Sequence, residues 1–290
     1  MLAGIEAGGT KFVCAVGDER GNIVERIQIP TTVPEETLQH VSNFFKKYEI
    51  DAIGIGSFGP VDVNLESPTY GYITSTPKTA WKNYPLVQSL KGAFPVPIGF
   101  NTDVNAAALG EATFGAAKGL DSCLYITIGT GIGAGAIVQG KLLQGLSHPE
   151  MGHTLVRRHP ADHYQGKCPY HHDCLEGLAA GPAIEERWGD KGINLVSREE
   201  VWKLEAYYIA QALMQYILIL SPKKIILGGG VMHQNQVFSY VYQHLEEILN
   251  GYISLPELSE YIVIPGLGDN AGIIGSLLLA KQALSVKYGE

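Results

Sequence analysis

One pattern occurs twice along the chain and governs what it can fold into. The stretch "LAGIEA", Gly8-Gly9-Thr10, "KFVCAVGD", "ERGN", "IVERIQI" reads as strand, glycine turn, strand, tight turn, strand. β-Branched runs broken by Gly, Asn and charged turn residues predict an antiparallel meander. The same order returns in "CLYITIGTGIGAGAIVQGKLL", from Cys123 to Leu143. Each meander then leads into an α/β series. After the first come helical spacing in "PEETLQHVSNFFKKY", the strands "DAIGIGSFG" and "VPIGF", and the Ala-rich helix "DVNAAALGEATFG". After the second come a long helix over residues 198–220, the strand "KKIILGGG", the helix "NQVFSYVYQHLEEIL", the strand "YIVIPG" and the helix "NAGIIGSLLLAKQAL". Two halves of the same element order predict two similar α/β domains with a cleft between them.

The bulk properties allow this and narrow the partners. With 290 residues and 46% hydrophobic content, the chain can bury two cores of ordinary size. A formal net charge of -8 argues against nucleic acid or an anionic membrane as the main partner. The N-terminal "MLAGIEAGGTKF" has no basic leader, and no apolar run reaches the roughly 18–20 residues that span a bilayer. Cys14 and Cys123 sit singly in apolar strand patterns, as buried free thiols do. A cytoplasmic protein with reduced thiols is expected.

Three glycine turns follow apolar strands: "EAGGTK" at 6–11, "IGTGIG" at 128–133 and "LGGGV" at 227–231. Glycine lets successive backbone N–H groups converge on an anion. One such turn alone is usually a hairpin or a βα connection. None has the Walker spacing, and the G-x-G-x-x-G-like string in "GTGIGAG" is followed by a strand instead of a helix. Two turns at equivalent places in the two halves, with a third nearby, point to phosphates held between the domains.

Between Gly152 and Gly177 lies a polar segment holding five histidines and two cysteines. Cys168, His171 and Cys174 form C-x-x-H-x-x-C, a spacing at which one turn presents three ligands to a tetrahedral ion. His153, His159, His163 and His172 compete for the fourth place. Asp103 follows the strand "VPIGF" and opens a helix, which suits either a helix cap or a cleft carboxylate at a strand end. Glu150, His153 and Glu176 flank the metal-ligand candidates. A carboxylate can hold two sugar hydroxyls, although isolated acids of this kind are more often solvated.

The segment "ITIGTGIGAGAIVQGKLLQGLSHPEMGH" resembles the signature of the ROK family of sugar kinases and repressors. "GIEAGGTK", "SFGPVD", "TDVNAAALGE", "CPYHHDCLEG", "AAGPAI", "LGGGV" and "GDNAGIIGS" occur in that family's order, so the resemblance spans nearly the whole chain. It implies the actin/hexokinase fold, two ribonuclease-H-like domains with ATP and sugar in the cleft. The expected boundaries are residues 1–115 with a C-terminal helix of about 270–290, and residues 116–269. By resemblance Asp103 is the general base, and Glu150 and Glu176 bind the sugar. Thr102 stands where glucokinases of the family usually carry an Asn that holds a sugar hydroxyl. Gly8, Gly9, Thr10 and Lys11 would lie near the ATP phosphates, as would Gly129, Thr130 and Gly131. Pro182, Gly228, Gly229, Gly230 and Val231 complete the nucleotide set, and Glu6 is a candidate near Mg²⁺. The family pattern selects His153 as the fourth metal ligand. Two Cys and two His would fill a zinc ion's tetrahedral positions, so the zinc is expected to be structural.

"SPTYGYITSTPKTAWKNYPL" at 67–86 is similar to the fructokinase branch of the family. This implies ATP-dependent phosphorylation of D-fructose at its 6-hydroxyl, with mannose or glucose as the alternative hexoses. A sugar-binding repressor of the family would carry a DNA-binding domain ahead of the first glycine turn, which here begins at Glu6. An actin-like polymerising protein would leave Glu150, His153 and Glu176 unexplained. A homodimer is expected, since relatives are often dimers.

Overall fold

Each meander is the antiparallel half of a mixed sheet. The structure, a computed structural model, describes residues 1–288; positions 289 and 290 of the expected C-terminal helix lie outside the described residues. In the first sheet β1 (Leu2–Ala7), β2 (Lys11–Gly17) and β3 (Ile23–Pro30) form the meander. Helix α1 (Pro34–Phe45) starts on Pro34 with Glu35 and Glu36 in its first turn, a favourable helix start, and leads to β4 (Ala52–Ser57). Helix α2 (Leu86–Ala93) leads to β5 (Ile98–Thr102), and α3 (Asp103–Phe114) follows at once. The strand order is β3-β2-β1-β4-β5, with β1, β4 and β5 parallel.

The second sheet repeats this. Its meander is β6 (Cys123–Ile128), β7 (Ile132–Val138) and β8 (Lys141–Leu142). Three helices follow: α4 (Leu175–Ala179), α5 (Gly181–Trp188) and α6 (Glu199–Leu220). Then come β9 (Ile225–Gly228), α7 (Gln236–Leu249), α8 (Leu258–Tyr261), β10 (Ile262–Val263) and α9 (Ala271–Tyr288). The order β10-β9-β6-β7-β8 places every strand where its counterpart stands in the first sheet. β6 pairs antiparallel with β7 and parallel with β9, as β1 does with β2 and β4. The duplication read from turn order is therefore a duplication of topology. Among the described residues no helix is long and apolar enough to cross a membrane.

Two differences from the expected elements have local causes. The strands expected in "YIVIPG" and at the end of the second meander shrink to two residues each, because both lie at sheet edges where the chain soon departs. The Asp103 capping role falls instead to Thr102, whose hydroxyl accepts from the Asn105 N–H at 3.1 Å. Asp103 becomes the first helical residue, so its carboxylate does not serve as that cap.

Helices α3 and α9 join the two sheets. α9 packs across β1, β4 and β5, while α3 lies against α9 on one side and against β6 and β7 on the other. This close approach needs bare backbone. Gly4, Gly54 and Gly99 are register partners across three adjacent strands, forming a groove under α9. A Cβ on Gly54 would lie 1.8 Å from the Ser276 carbonyl, and one on Gly99 2.3 Å from that of Leu279. Because this contact is backbone on backbone, no rotamer change relieves it. Gly54→Ala is expected to cost about 3 kcal/mol of stability. An unchanged denaturant midpoint for that variant would contradict this packing.

Candidate active site and metal centre

Four carboxylates gather where the parallel strands end and the loops of the second sheet approach. Asp103 follows β5 at the start of α3, and its Oδ1 accepts from Val104 N–H at 2.8 Å. A Cβ placed on Gly56, at the end of β4, would be 3.2 Å from the Asp103 Cα, so this glycine keeps the carboxylate's backbone close to the sheet. Burial raises the Asp103 pKa to about 7, and the negative charges of Glu6 and Glu150 push in the same direction. Glu150 comes from the loop after β8. Burial of its carboxyl raises its pKa, opposed by His153 and reinforced by Glu176. Glu176, in the first turn of α4, accepts from Ile132 N–H at 2.9 Å. Gly131 leaves it room: a Cβ there would sit 2.7 Å from Glu176 Oε2. The Thr102 hydroxyl is engaged at the helix cap and buried.

The candidate metal ligands converge. Ligand atoms of His153, Cys168, His171 and Cys174 all lie within 4.8 Å of one another. His153 Nδ1 is 3.7 Å from Cys168 Sγ and 3.6 Å from Cys174 Sγ, and His171 Nδ1 is 3.7 Å from Cys168 Sγ. Ordinary Zn–S and Zn–N lengths at a tetrahedral angle put S and N about 3.5 Å apart, so the residues fit such an ion. Burial, with Cys168 and Glu176 adding to it, pushes the Cys174 thiol up to about 12, so a thiolate here needs an adjacent cation. Of the competing histidines, His153 is the one that stands beside the two thiols. His159 instead accepts from Ala161 N–H and stacks edge-on with Tyr207.

The cluster lies beside one of the carboxylates. The other ring nitrogen of His153, Nε2, is 4.0 Å from Glu176 Oε1. A metal-bound imidazole commonly orients itself on a carboxylate in this way. The loop between is held separately: Asp162 accepts from Tyr208 OH at 2.5 Å and pairs with the buried Arg187 at 3.1 Å.

A cavity of about 630 Å³ opens between the two sheets. Glu6, Lys11 and Arg26 line it from the first sheet, and Thr127, Gly228 and Gly229 from the second. Of the residues expected at a nucleotide, Lys11, Gly228 and Gly229 border this cavity; Gly8, Gly9, Thr10, Gly129, Thr130, Gly131, Pro182, Gly230 and Val231 do not line it. Gly8 and Gly9 form the β1–β2 hairpin, where Gly8 N–H bonds to the Lys11 carbonyl, and Thr10 is exposed beside them. The other two turns meet. Gly229, at φ +90°, packs so tightly on Ile128 that a Cβ would reach its carbonyl at 2.4 Å. The Gly129–Thr130–Gly131 hairpin also accepts, through the Gly129 carbonyl, from Gly181 N–H at 2.7 Å, next to Pro182 at the start of α5.

The sequence model of the ROK family matches residues 2–283. The chain belongs to the ROK family. A Bacillus subtilis (strain 168) relative, provisionally named a fructokinase, is 66% identical over 99% of this chain and 97% of its own. A fructokinase of Pediococcus pentosaceus is 49% identical over 98% of this chain and 99% of its own. Among solved structures, a ROK hexokinase from Thermus thermophilus matches with a TM-score of 0.80 at 27% identity over 99% of each chain. A ROK glucokinase from Streptomyces griseus, in complex with glucose and AMPPNP, matches with a TM-score of 0.80 at 25% identity, covering 97% of this chain and 99% of that one.

For this ROK chain, sequence reasoning missed several residues that the fold brings to the site. Arg26 and Gln28 line the cavity because alternate residues of β3 face one side; that period-2 spacing was a usable signal. Asp269 also borders the cavity, just before α9, within the "GDNAGIIGS" motif. Lys78 reaches the first glycine turn, its Cε 3.2 Å from where a Gly9 Cβ would lie. His148, which joins the loops of the two sheets, had no local signal.

Proposed function

We propose that this ROK chain transfers the γ-phosphoryl group of ATP to the 6-hydroxyl of D-fructose, yielding fructose 6-phosphate and ADP. The observation that carries the chemistry is Asp103, a carboxylate at a strand end whose pKa, near 7, matches the task of a general base at neutral pH. It takes the hydroxyl proton as the O6–P bond forms and the bond to the ADP oxygen breaks. Little else is required of protein side chains beyond orientation and charge stabilisation. Glu150 and Glu176 hold sugar hydroxyls beside Asp103. The glycine turns and Lys11 hold the nucleotide, with Gly8, Gly9, Thr10, Gly129, Thr130, Gly131, Pro182, Gly230 and Val231 flanking the cavity that Gly228 and Gly229 line. Fructose as acceptor is supported by the likeness to the Pediococcus enzyme and to a Streptococcus mutans fructokinase, 46% identical over 97% of this chain.

Mg²⁺ belongs with the nucleotide. Glu6 and Asp269 border the cavity and would hold it, and the ion supplies charge neutralisation to the phosphates. Zinc on His153, Cys168, His171 and Cys174 has no position left for a reacting water, so its role is structural. The division into lobes 1–115 with 270–290, and 116–269, is part of the proposal, supported by α9 lying on the first sheet. So are a homodimer, supported by exposed Leu218 and Ile219 on α6, and a cytoplasmic setting, supported by four free cysteines.

Product analysis tests the reaction. ATP and fructose should give a phosphorus signal coupled to the C6 protons of fructose. Coupling to C1 instead, or ADP release with no sugar ester, would contradict it.

A further inference from the structure

His148 is the buried side chain that links the two sheets' loops, and its two ring nitrogens face opposite ways. It lies in the segment leaving β8 and is 8% exposed. Its Nε2 is 3.1 Å from the Val61 N–H, in the loop that leaves β4 of the first sheet. Its Nδ1 is 3.5 Å from Glu150 Oε1. A backbone N–H can only donate, so Nε2 carries no proton. The ring is therefore the neutral tautomer with its proton on Nδ1, the nitrogen that stands 3.5 Å from Glu150 Oε1. Burial holds the His148 pKa below the usual imidazole range, in keeping with that state. A second bond spans the same two loops, from Gln144 Nε2 to the Val63 carbonyl at 3.3 Å. His148 Cε1 and Glu150 Oε1 also lie 3.6 and 3.7 Å from where a Gly59 Cβ would be, so all three crowd one spot.

We propose that His148 is a positioning residue of the sugar site, setting the Glu150 carboxylate according to where the Val61 loop stands. The inference rests on the reading of Glu150 as a sugar-binding carboxylate. One nitrogen senses the first sheet's loop and the other orients the carboxylate, so movement of the two sheets relative to each other changes the grip on the sugar.

Two substitutions divide the ring. The amide of His148→Asn occupies the Nδ1 position and loses the acceptor for Val61. The amide of His148→Gln reaches the Nε2 position and leaves nothing at the Nδ1 position, which faces Glu150. Each is expected to raise KM for fructose about tenfold, with KM for ATP within about twofold. Glu150→Gln is the reference. In the double variant His148→Gln/Glu150→Gln, KM for fructose should match that of Glu150→Gln alone, because His148 acts through that carboxylate. Multiplying effects in the double variant, equal changes in both KM values, or unchanged KM values in both single variants would overturn the inference. A wild-type protein with no sugar-dependent ADP release, or an unaltered Glu150→Gln, would instead overturn the sugar-site reading on which it rests.

Discussion

Asp103→Asn is expected to lower kcat by about a thousandfold, the usual worth of a positioned general base, while KM for both substrates stays within a fewfold. Asn keeps the acceptor for the Val104 N–H, so the start of α3 survives. The same variant should be more stable than the wild type above neutral pH. The folded carboxyl has its pKa raised from 3.8 to about 7, so between those values the native state keeps a proton that the unfolded chain has released. This group therefore costs stability progressively as pH rises through that window, and Asn removes the cost. In the wild type, kcat/KM should rise with pH on an acid limb near 7 and level off above it. The variant should show no such limb. Normal turnover by Asp103→Asn, or an acid limb that survives in it, would assign the base elsewhere.

The second large effect is expected at the metal cluster. Cys168→Ser replaces a buried thiol that lies within 3.7 Å of two imidazole nitrogens. Loss of a structural zinc should lower Tm by ten degrees or more, on the order of several kcal/mol. It should also weaken fructose binding, because the second nitrogen of His153 lies 4.0 Å from the Glu176 carboxylate. The pairing of Asp162 with Arg187 and Tyr208 does not depend on the metal, so the loop keeps one anchor and the variant can be assayed folded. Zinc content by atomic emission, Tm and fructose affinity should fall together. A folded, zinc-free protein with wild-type fructose affinity would separate the cluster from the sugar site.

The duplicated topology was legible because its signal is local. Glycine turns, tight turns and β-branched runs recur in order, and nothing distant is needed to read them. Short helices escaped: α2, α4 and α5 have eight, five and eight residues, too few for a helical period to stand out. Thr102 and Asp103 are both good capping residues, and only the backbone shows which one caps. The C-x-x-H-x-x-C spacing named three ligands without a structure. His153, fifteen residues before Cys168, needed the family pattern to be chosen among four histidines. His148 was the least legible residue, since its partner Val61 lies 87 positions away. The glycine row under α9 was visible as single glycines in three strands, but its purpose depends on a helix that follows more than 170 residues later.

The direct test of fructose as the acceptor is kcat/KM for ATP-dependent phosphorylation of fructose, mannose and glucose by the zinc-loaded protein, read as sugar-dependent ADP release. The highest value is expected for fructose, by tenfold or more, the discrimination expected when a few buried hydroxyl contacts differ between substrates. A higher value for glucose or mannose, or ADP release indifferent to sugar, would contradict it.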